Sequence, residues 1–248
     1  MLKEERYDRI LEILEEETYT SAQSLSERLY VSLPTIRRDL TELQRRNRIV
    51  RSHGGAKKIN TEHIVTPLDY RRSQNYAEKR KLCQAAAELI RERDIIFLDA
   101  STTVASMVDF LAKKNVTVVT NSIPTALRLT QNGIRTFCTG GEIVWNSLGY
   151  TGSYAESFVR QFNFDWMFFS CTGVNDRWLV VDVSREETVL RQVVHDHAVH
   201  TVLLMDSSKL QMNAPYNCLR LEQLDRIVTD APAERFPEDL REIILSVV

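Results

Sequence analysis

The 248-residue chain balances 32 Lys/Arg against 34 Asp/Glu, a formal charge of −2, with 43% apolar and 27% charged residues. That composition describes an ordinary soluble protein with room for one small and one larger domain, and it contains no internal repeat or low-complexity tract. The opening Met-Leu-Lys-Glu-Glu-Arg lacks a signal-peptide apolar core and no apolar run approaches membrane-spanning length, so a cytoplasmic protein without membrane partners is expected.

In chain order, Tyr7, Ile10, Leu11 and Leu14 mark an amphipathic helix, and residues 21–29 a second one that starts at a capping Ser21 and stops before a tight Tyr30-Val31 turn. A third helix follows in Val31-Ser-Leu-Pro-Thr-Ile-Arg-Arg-Asp-Leu40. Ser32 is its N-cap, Pro34 falls in the first turn, and Ile36, Leu40 and Leu43 form one apolar stripe. Pro34, Arg38, Thr41 and Arg45 lie opposite that stripe, flanked by Thr35 and Arg37. Ile49-Val-Arg-Ser-His-Gly-Gly-Ala56 then reads as a basic hairpin with a glycine tip.

Three helices and such a hairpin are the parts of a winged helix-turn-helix that meets duplex DNA. The candidate DNA contacts are Ser32, Pro34, Thr35, Arg37, Arg38, Thr41 and Arg45 on the helix, with Arg51, His53, Gly54 and Gly55 on the wing. Charge agrees. Residues 28–58 hold nine basic residues against two acidic ones, whereas residues 1–27 hold three against eight, so the positive potential is local.

Periodicity lapses between Lys58 and Glu78, a stretch that carries Arg71 and Arg72, and resumes at Glu78-Lys79 with Leu82, Ala85, Ala86, Leu89 and Ile90. The expected organisation is a DNA-binding domain at 1–58, a linker at 59–77 and a larger domain at 78–248. In the larger part, strands are expected at 95–98, 116–120, 134–139, 166–171, 201–205 and 226–229. Helices are expected at 104–111, 125–130, 154–161, 185–197 and 237–245. Repeated β-α units argue for α/β architecture around a parallel sheet, with ligands outside the carboxyl ends of the strands.

Five strand ends finish in small, polar or charged groups: Asp99, Ser101, Thr102 and Thr103; Thr120, Asn121 and Ser122; Gly140 and Gly141; Thr172 and Gly173; Asp206, Ser208 and Lys209. A pocket for a small phosphorylated polyol fits them, with hydroxyls and N–H groups for phosphate, Asp99 and Asn121 for sugar hydroxyls and Lys209 for charge. Each segment alone also serves as an ordinary helix cap.

Enzyme signatures fail: there is no P-loop, no Gly-x-Ser-x-Gly and no His-Glu-x-x-His. Asp99, Glu187 and Lys209 offer proton-transfer groups, but nothing in the sequence holds a base against an acid. His195, His197 and His200 are spaced so as to split across a helix, so neither a metal nor a cofactor is expected. Cys83, Cys138, Cys171 and Cys218 stand 33 to 55 residues apart and read as buried reduced thiols. A constitutive architectural DNA binder, with the larger domain only a scaffold, is the other alternative.

Residues 31–56 resemble the N-terminal domain of DeoR/GlpR-type bacterial transcriptional regulators, with Val-Ser-x-x-Thr-Ile-Arg-Arg-Asp-Leu and a wing ending His-Gly-Gly-Ala. Asn47 stands where that family often has Gly. The rest is similar too, in Phe97-Leu-Asp-Ala-Ser-Thr-Thr103, Val119-Thr-Asn-Ser122, Gly140-Gly141, Gly152, Glu186-Glu187 and Asp206-Ser-Ser-Lys-Leu210. The resemblance implies a sensor domain with a fold similar to ribose-5-phosphate isomerase, with Glu187 in its effector site. It further implies a homo-oligomeric repressor, dimer or tetramer, that binds double-stranded operator DNA of a carbohydrate-catabolism operon and responds to a phosphorylated sugar. Ser101 replaces the family's Gly, Leu210 its Phe and Arg191 its Lys. Trp178 falls in a turn that usually has Gly, where it is expected to fill or lid the pocket.

Overall fold

The computed structural model describes residues 3–17, 19–45, 49–52, 54–58 and 68–247, and the chain divides into two units, residues 1–66 and 67–248. In the first, helical spacing builds α1 (Lys3–Glu16), which buries Tyr7, Ile10, Leu11 and Leu14. A short strand, β1 (Thr20–Ser21), leads into α2 (Ala22–Leu29), where the Ser21 hydroxyl accepts the Ser24 N–H as the expected cap. Tyr30 ends α2 at φ 53°, and this left-handed residue makes the turn tight. The next helix, α3 (Leu33–Arg45), carries Pro34 in its first turn and buries Ile36, Leu40 and Leu43.

The wing consists of β2 (Ile49–Ser52) and β3 (Gly55–Lys58), antiparallel, with β3 lying between β1 and β2. Gly54 takes φ 81° at the tip. Gly55 pairs with Ser21 and is buried; a Cβ there would collide with the Thr20 carbonyl oxygen. Glycine at 55 therefore closes the small sheet.

The second unit opens differently from the expected linker. Residues 68–73 form α4 (Leu68–Ser73), and α5 (Tyr76–Glu88) begins two residues before Glu78. Polar bonds hold α4 rather than an apolar stripe: Lys79 Nζ donates to the Arg71 carbonyl, and an Arg71 Nη2 donates to the Asn146 carbonyl. Periodicity had no apolar spacing there to detect.

Then follow β4 (Ile95–Leu98), a 3-10 turn at 104–107 running into α6 (Val108–Leu111), β5 (Thr117–Thr120), α7 (Ile123–Gln131) and β6 (Arg135–Cys138). A hairpin of β7 (Glu142–Val144) and β8 (Gly149–Thr151) precedes α8 (Ser153–Val159) and β9 (Phe164–Phe169). After them come β10 (Gly173–Val174), β11 (Leu179–Asp182), α9 (Arg185–His195), β12 (Ala198–Met205), β13 (Tyr216–Arg220), β14 (Arg226–Thr229) and β15 (Ile244–Ser246).

Seven of these strands form one parallel sheet in the order β15-β14-β12-β9-β4-β5-β6. Both faces are covered, so neighbouring residues go to opposite cores. Phe97, Leu203 and Met205 pack with α8 and α9, while Ile96, Leu98, Val202 and Leu204 pack with α5 and α6. From β4 the chain moves outward to β5 and β6, then returns to β9 on the other side of β4. In parallel sheets such a reversal is where a ligand crevice forms, here at the carboxyl ends of β4 and β9.

Sequence reading missed the hairpin and the antiparallel sheet β10-β11-β13, whose strands are two to five residues long and pair across distant segments. The helix expected at 237–245 is a 3-10 turn at 238–243 followed by β15, because Ile244 and Leu245 complete the sheet edge beside Ile227 and Val228. Among the described residues no helix is long and apolar enough to cross a membrane. Replacing Gly55 by Ala is expected to destabilise the first unit by about 1–3 kcal/mol through overpacking. Thermal unfolding of the full chain should show that unit's transition lowered and the larger unit's unchanged.

Candidate functional site

The first unit presents one helix face. Ser32, Pro34, Arg37, Arg38 and Thr41 are exposed and Thr35 is half-buried, as the helical wheel requires. The Ser32 and Thr35 hydroxyls lie 2.9 Å apart at the start of α3, and the Thr41 hydroxyl bonds back to the Arg37 carbonyl. Between these outward groups Asp39 points inward, only 3% exposed. The Arg6 guanidinium grips it with two bonds, Nε to Oδ2 at 2.5 Å and Nη2 to Oδ1 at 3.0 Å. That fork fastens α3 to α1, and the hydrogen bond to Asp39 raises the Arg6 pKa against the opposing effect of burial.

Asp39 was not a sequence candidate, yet it sits on the Ile36-Leu40-Leu43 stripe, and an acid on an apolar stripe signals a buried partner. Gly54 is exposed at the wing tip, whereas Gly55 is spent on packing. Arg45 ends α3 and Arg51 lies in β2, with their side chains outside the described residues; His53 and Asn47 also lie outside them.

The second unit gathers charge at the crevice. Asp99 leaves β4 buried, its Oδ1 accepting the Ser101 N–H and its Oδ2 the Ser170 N–H and Arg191 Nε. From α9, Arg191 also donates Nη1 to Asp182 Oδ2 at 2.8 Å and places Nη2 3.6 Å from Glu187 Oε2. Burial works against the charge on Arg191, but Asp182, Asp99 and Glu187 outweigh it and raise its pKa. Asp99 thus accepts three hydrogen bonds within the protein.

A second cluster is cationic. Lys79 enters from α5, 5% exposed, donating Nζ to the Arg71 carbonyl and the Thr102 hydroxyl. Lys209 donates to the Ser170 hydroxyl at 2.8 Å and the Cys171 carbonyl at 2.7 Å. Burial, reinforced by Lys209 and Arg71, pushes the Lys79 pKa down to about 8 although Asp206 opposes it. Burial also lowers Arg71. Asp206 is penalised by burial but ends below its usual range, held there by the Ser208 hydroxyl, Lys209 and Asn75. Such a set can receive an anion, which further favours the charged form of Lys79.

Sequence reading named Lys209, Thr102, Asp206 and Ser208 but not Lys79 or Arg71. The signal for Lys79 was available, since it shares the buried face of α5 with Leu82, Cys83 and Ala86.

The remaining candidates divide. Asn121 is 3% exposed, its Nδ2 donating to the Tyr150 carbonyl and its Oδ1 having no hydrogen-bond partner. Thr120 accepts the Ser122 N–H, and Ser122 caps α7 by accepting the Thr125 N–H. Ser101 caps the Val104 N–H, and Thr103 is 1% exposed behind the loop. Gly173 packs so closely that a Cβ would come 2.5 Å from Met212 Cβ. Gly140 and Gly141 line a separate open cleft of about 440 Å³ with Thr139, Tyr154, Ser157, Phe158 and Gln161.

Trp178 does not lid the crevice as expected: at φ 58° its ring packs on Phe236, 5.9 Å between centroids. His195, His197 and His200 bond separately to Thr201, Val193 and Asp225. Three cysteines are buried, with Cys171 and Cys218 pushed up to about 12 by burial; Cys138, against expectation, is exposed at the end of β6.

Residues 6–62 match the DeoR-like helix-turn-helix domain, and residues 74–231 match the DeoR C terminal sensor domain. The chain is 30% identical over 234 residues to the glycerol-3-phosphate regulon repressor of Escherichia coli, covering 94% of this chain and 92% of that protein. It is 32% identical over 234 residues to the lactose phosphotransferase system repressor of Streptococcus mutans, covering 93% of each. Among solved structures, ribose 5-phosphate isomerase A from Methanocaldococcus jannaschii aligns with 55% of each chain at 17% identity and a TM-score of 0.42. With family matches spanning both units and relatives alike over nearly its whole length, the chain belongs to the DeoR family of helix-turn-helix transcriptional regulators.

Proposed function

We propose that this regulator represses a carbohydrate-catabolism operon and that a phosphorylated sugar bound at the strand-end crevice sets its affinity for operator DNA. The observation that carries the reading is the cation cluster of Arg71, Lys79 and Lys209, in which the buried Lys79 has its pKa lowered to about 8 by burial and by the other two. A phosphate ester would add negative charge beside these cations, where the Thr102 hydroxyl already accepts from Lys79. On the DNA side, Arg37, Arg38 and Thr41 face outward from α3 to reach bases and phosphates.

Coupling runs through α4, the first described element after the DNA-binding unit. Its Arg71 carbonyl is bound by Lys79 and Thr102, groups that also face the anion, so effector and α4 compete for the same donors. The arrangement of α4 then differs between free and liganded forms. By linkage, the effector weakens DNA affinity only as far as it favours the released arrangement, typically about 5–150-fold. A headpiece this small needs a second copy for tight operator binding, so the functional form is a homo-oligomer acting in the cytoplasm.

Arg38→Ala is expected to abolish operator binding in a gel-shift assay while leaving phosphosugar binding intact. Lys209→Ala should bind operator normally yet fail to release it when phosphosugars are added; release equal to the parent's would refute the assignment. Because Lys79 titrates near pH 8 beside Lys209, Arg71 and Asp206, phosphate-ester affinity should hold at pH 7 and fall as pH rises above 8, by up to about tenfold per unit. Calorimetric titration with glycerol 3-phosphate between pH 7 and 9 reads this directly.

A further inference from the structure

The β7-β8 hairpin leaves one strand edge open. β8 is occupied on both sides: β7 lies along one, and along the other Ile123 N–H bonds the Leu148 carbonyl, Tyr150 N–H bonds the Asn121 carbonyl and Ser122 bridges to Gly149. Among the described residues no strand pairs with the outer edge of β7. The Val144 carbonyl turns toward β8, where it accepts the Leu148 N–H. Alternation along the strand then turns the Ile143 N–H and C=O to the open edge. An open edge is a template for another strand unless charge, proline or a covering element blunts it, and β7 is Glu-Ile-Val.

Apolar surface is concentrated around this edge. Ile143 is 51% exposed, Trp145, just beyond the strand, 78%, and Tyr154, early in α8, 81%; Leu148 is exposed as well. Grouped exposure of this kind marks an interaction surface rather than scattered surface residues. At the other end of β7 lies the open cleft of about 440 Å³, which Gly140 and Gly141 line together with Tyr154 and Phe158. A protruding indole and a cleft with room for one therefore stand at opposite ends of a three-residue strand.

We infer that β7 joins this chain to a second copy of itself, the two strands pairing antiparallel about a two-fold axis at Ile143. This rests on the homo-oligomer proposed above and says which surface unites the copies. In that register Ile143 exchanges both backbone bonds with its counterpart, Val144 lies opposite Glu142, and Trp145 lies opposite Gly141. Each tryptophan meets the other copy's cleft, and each cleft receives one, as a self-complementary interface requires. Trp145 and Tyr154 from both copies contribute on the order of 600–1,000 Å². Ile143, Leu148 and the paired edges extend that toward the ~1,200 Å² at which specific interfaces begin. The hairpin turn also touches the sensor, since Arg71 donates to the Asn146 carbonyl and Ser147 bonds Glu187. A joint made here lies one hydrogen bond from both α4 and α9.

The test is the oligomeric state of the full chain by sedimentation, with a crosslinking arm. Ile143→Pro removes an N–H that faces the open edge and leaves the β7-β8 ladder intact, while Trp145→Ser removes the indole. Each is expected to weaken association about thirtyfold or more, with the circular dichroism spectrum unchanged. In a Cys138→Ser background, Ile143→Cys should give a disulfide-linked dimer on mild oxidation, because a hydrogen-bonded antiparallel pair holds its Cα atoms about 5.5 Å apart. Val199→Cys, at an exposed position on β12, should not. The crosslink decides even where a variant does not fold. Association undiminished in both variants, with no Ile143→Cys crosslink, overturns this inference alone. A parent that sediments as a monomer at concentrations where it binds operator defeats the homo-oligomer reading with it.

Discussion

A single buried guanidinium organises the crevice. Arg191 meets Asp99 from the end of β4, Asp182 from the end of β11 and Glu187 from its own helix, all within a few ångströms and out of contact with water. Removing four charges from water is expensive, and only close pairing repays it, so these segments cannot drift independently. The small antiparallel sheet is thereby pinned to the parallel one, and the loop after β4 is held where Ser101 and Thr102 stand beside α5. Arginine suits this position better than lysine, because three of its nitrogens point at three carboxylates in one plane-directed fan.

That clamp also sorts the charges. Asp99, Asp182 and Glu187 gather around Arg191, Lys79 and Lys209 lie with Thr102, Ser170 and Asp206, and titration shifts in opposite senses: Lys79 down, Glu187 up. The short helix α4 is attached to this site through the Arg71 carbonyl, bound by Lys79, and an Arg71 bond to Asn146.

Legibility in the sequence follows from how each element is stabilised. The stripe Ile36-Leu40-Leu43 and the runs at β4 and β12 declare themselves, because burial against a regular surface imposes regular spacing. The strand ends Asp99, Asn121, Asp206 and Lys209 were visible for the same reason, since they follow directly from where a strand stops. Elements held by polar bonds or distant pairing were not visible: α4, the β7-β8 hairpin and the β10-β11-β13 sheet show no period of their own. Asp39 and Lys79 fall between these cases. Both are charges on an apolar stripe, and each marks a buried partnership that spacing alone reveals but cannot name.

Three of the departures from the family pattern, Ser101, Leu210 and Trp178, bear on whether the crevice keeps its chemistry. Ser101 takes no left-handed conformation, so the backbone does not require glycine there, and its hydroxyl serves the Val104 N–H. Leu210 is 8% exposed and joins the core beside Val174. Trp178 is the strained one: a left-handed non-glycine residue costs about 1–2 kcal/mol. Its ring contact with Phe236 and burial in the core offset that cost, of similar size by the usual worth of an aromatic pair plus its area. Each of these three substitutions is therefore absorbed by packing or capping.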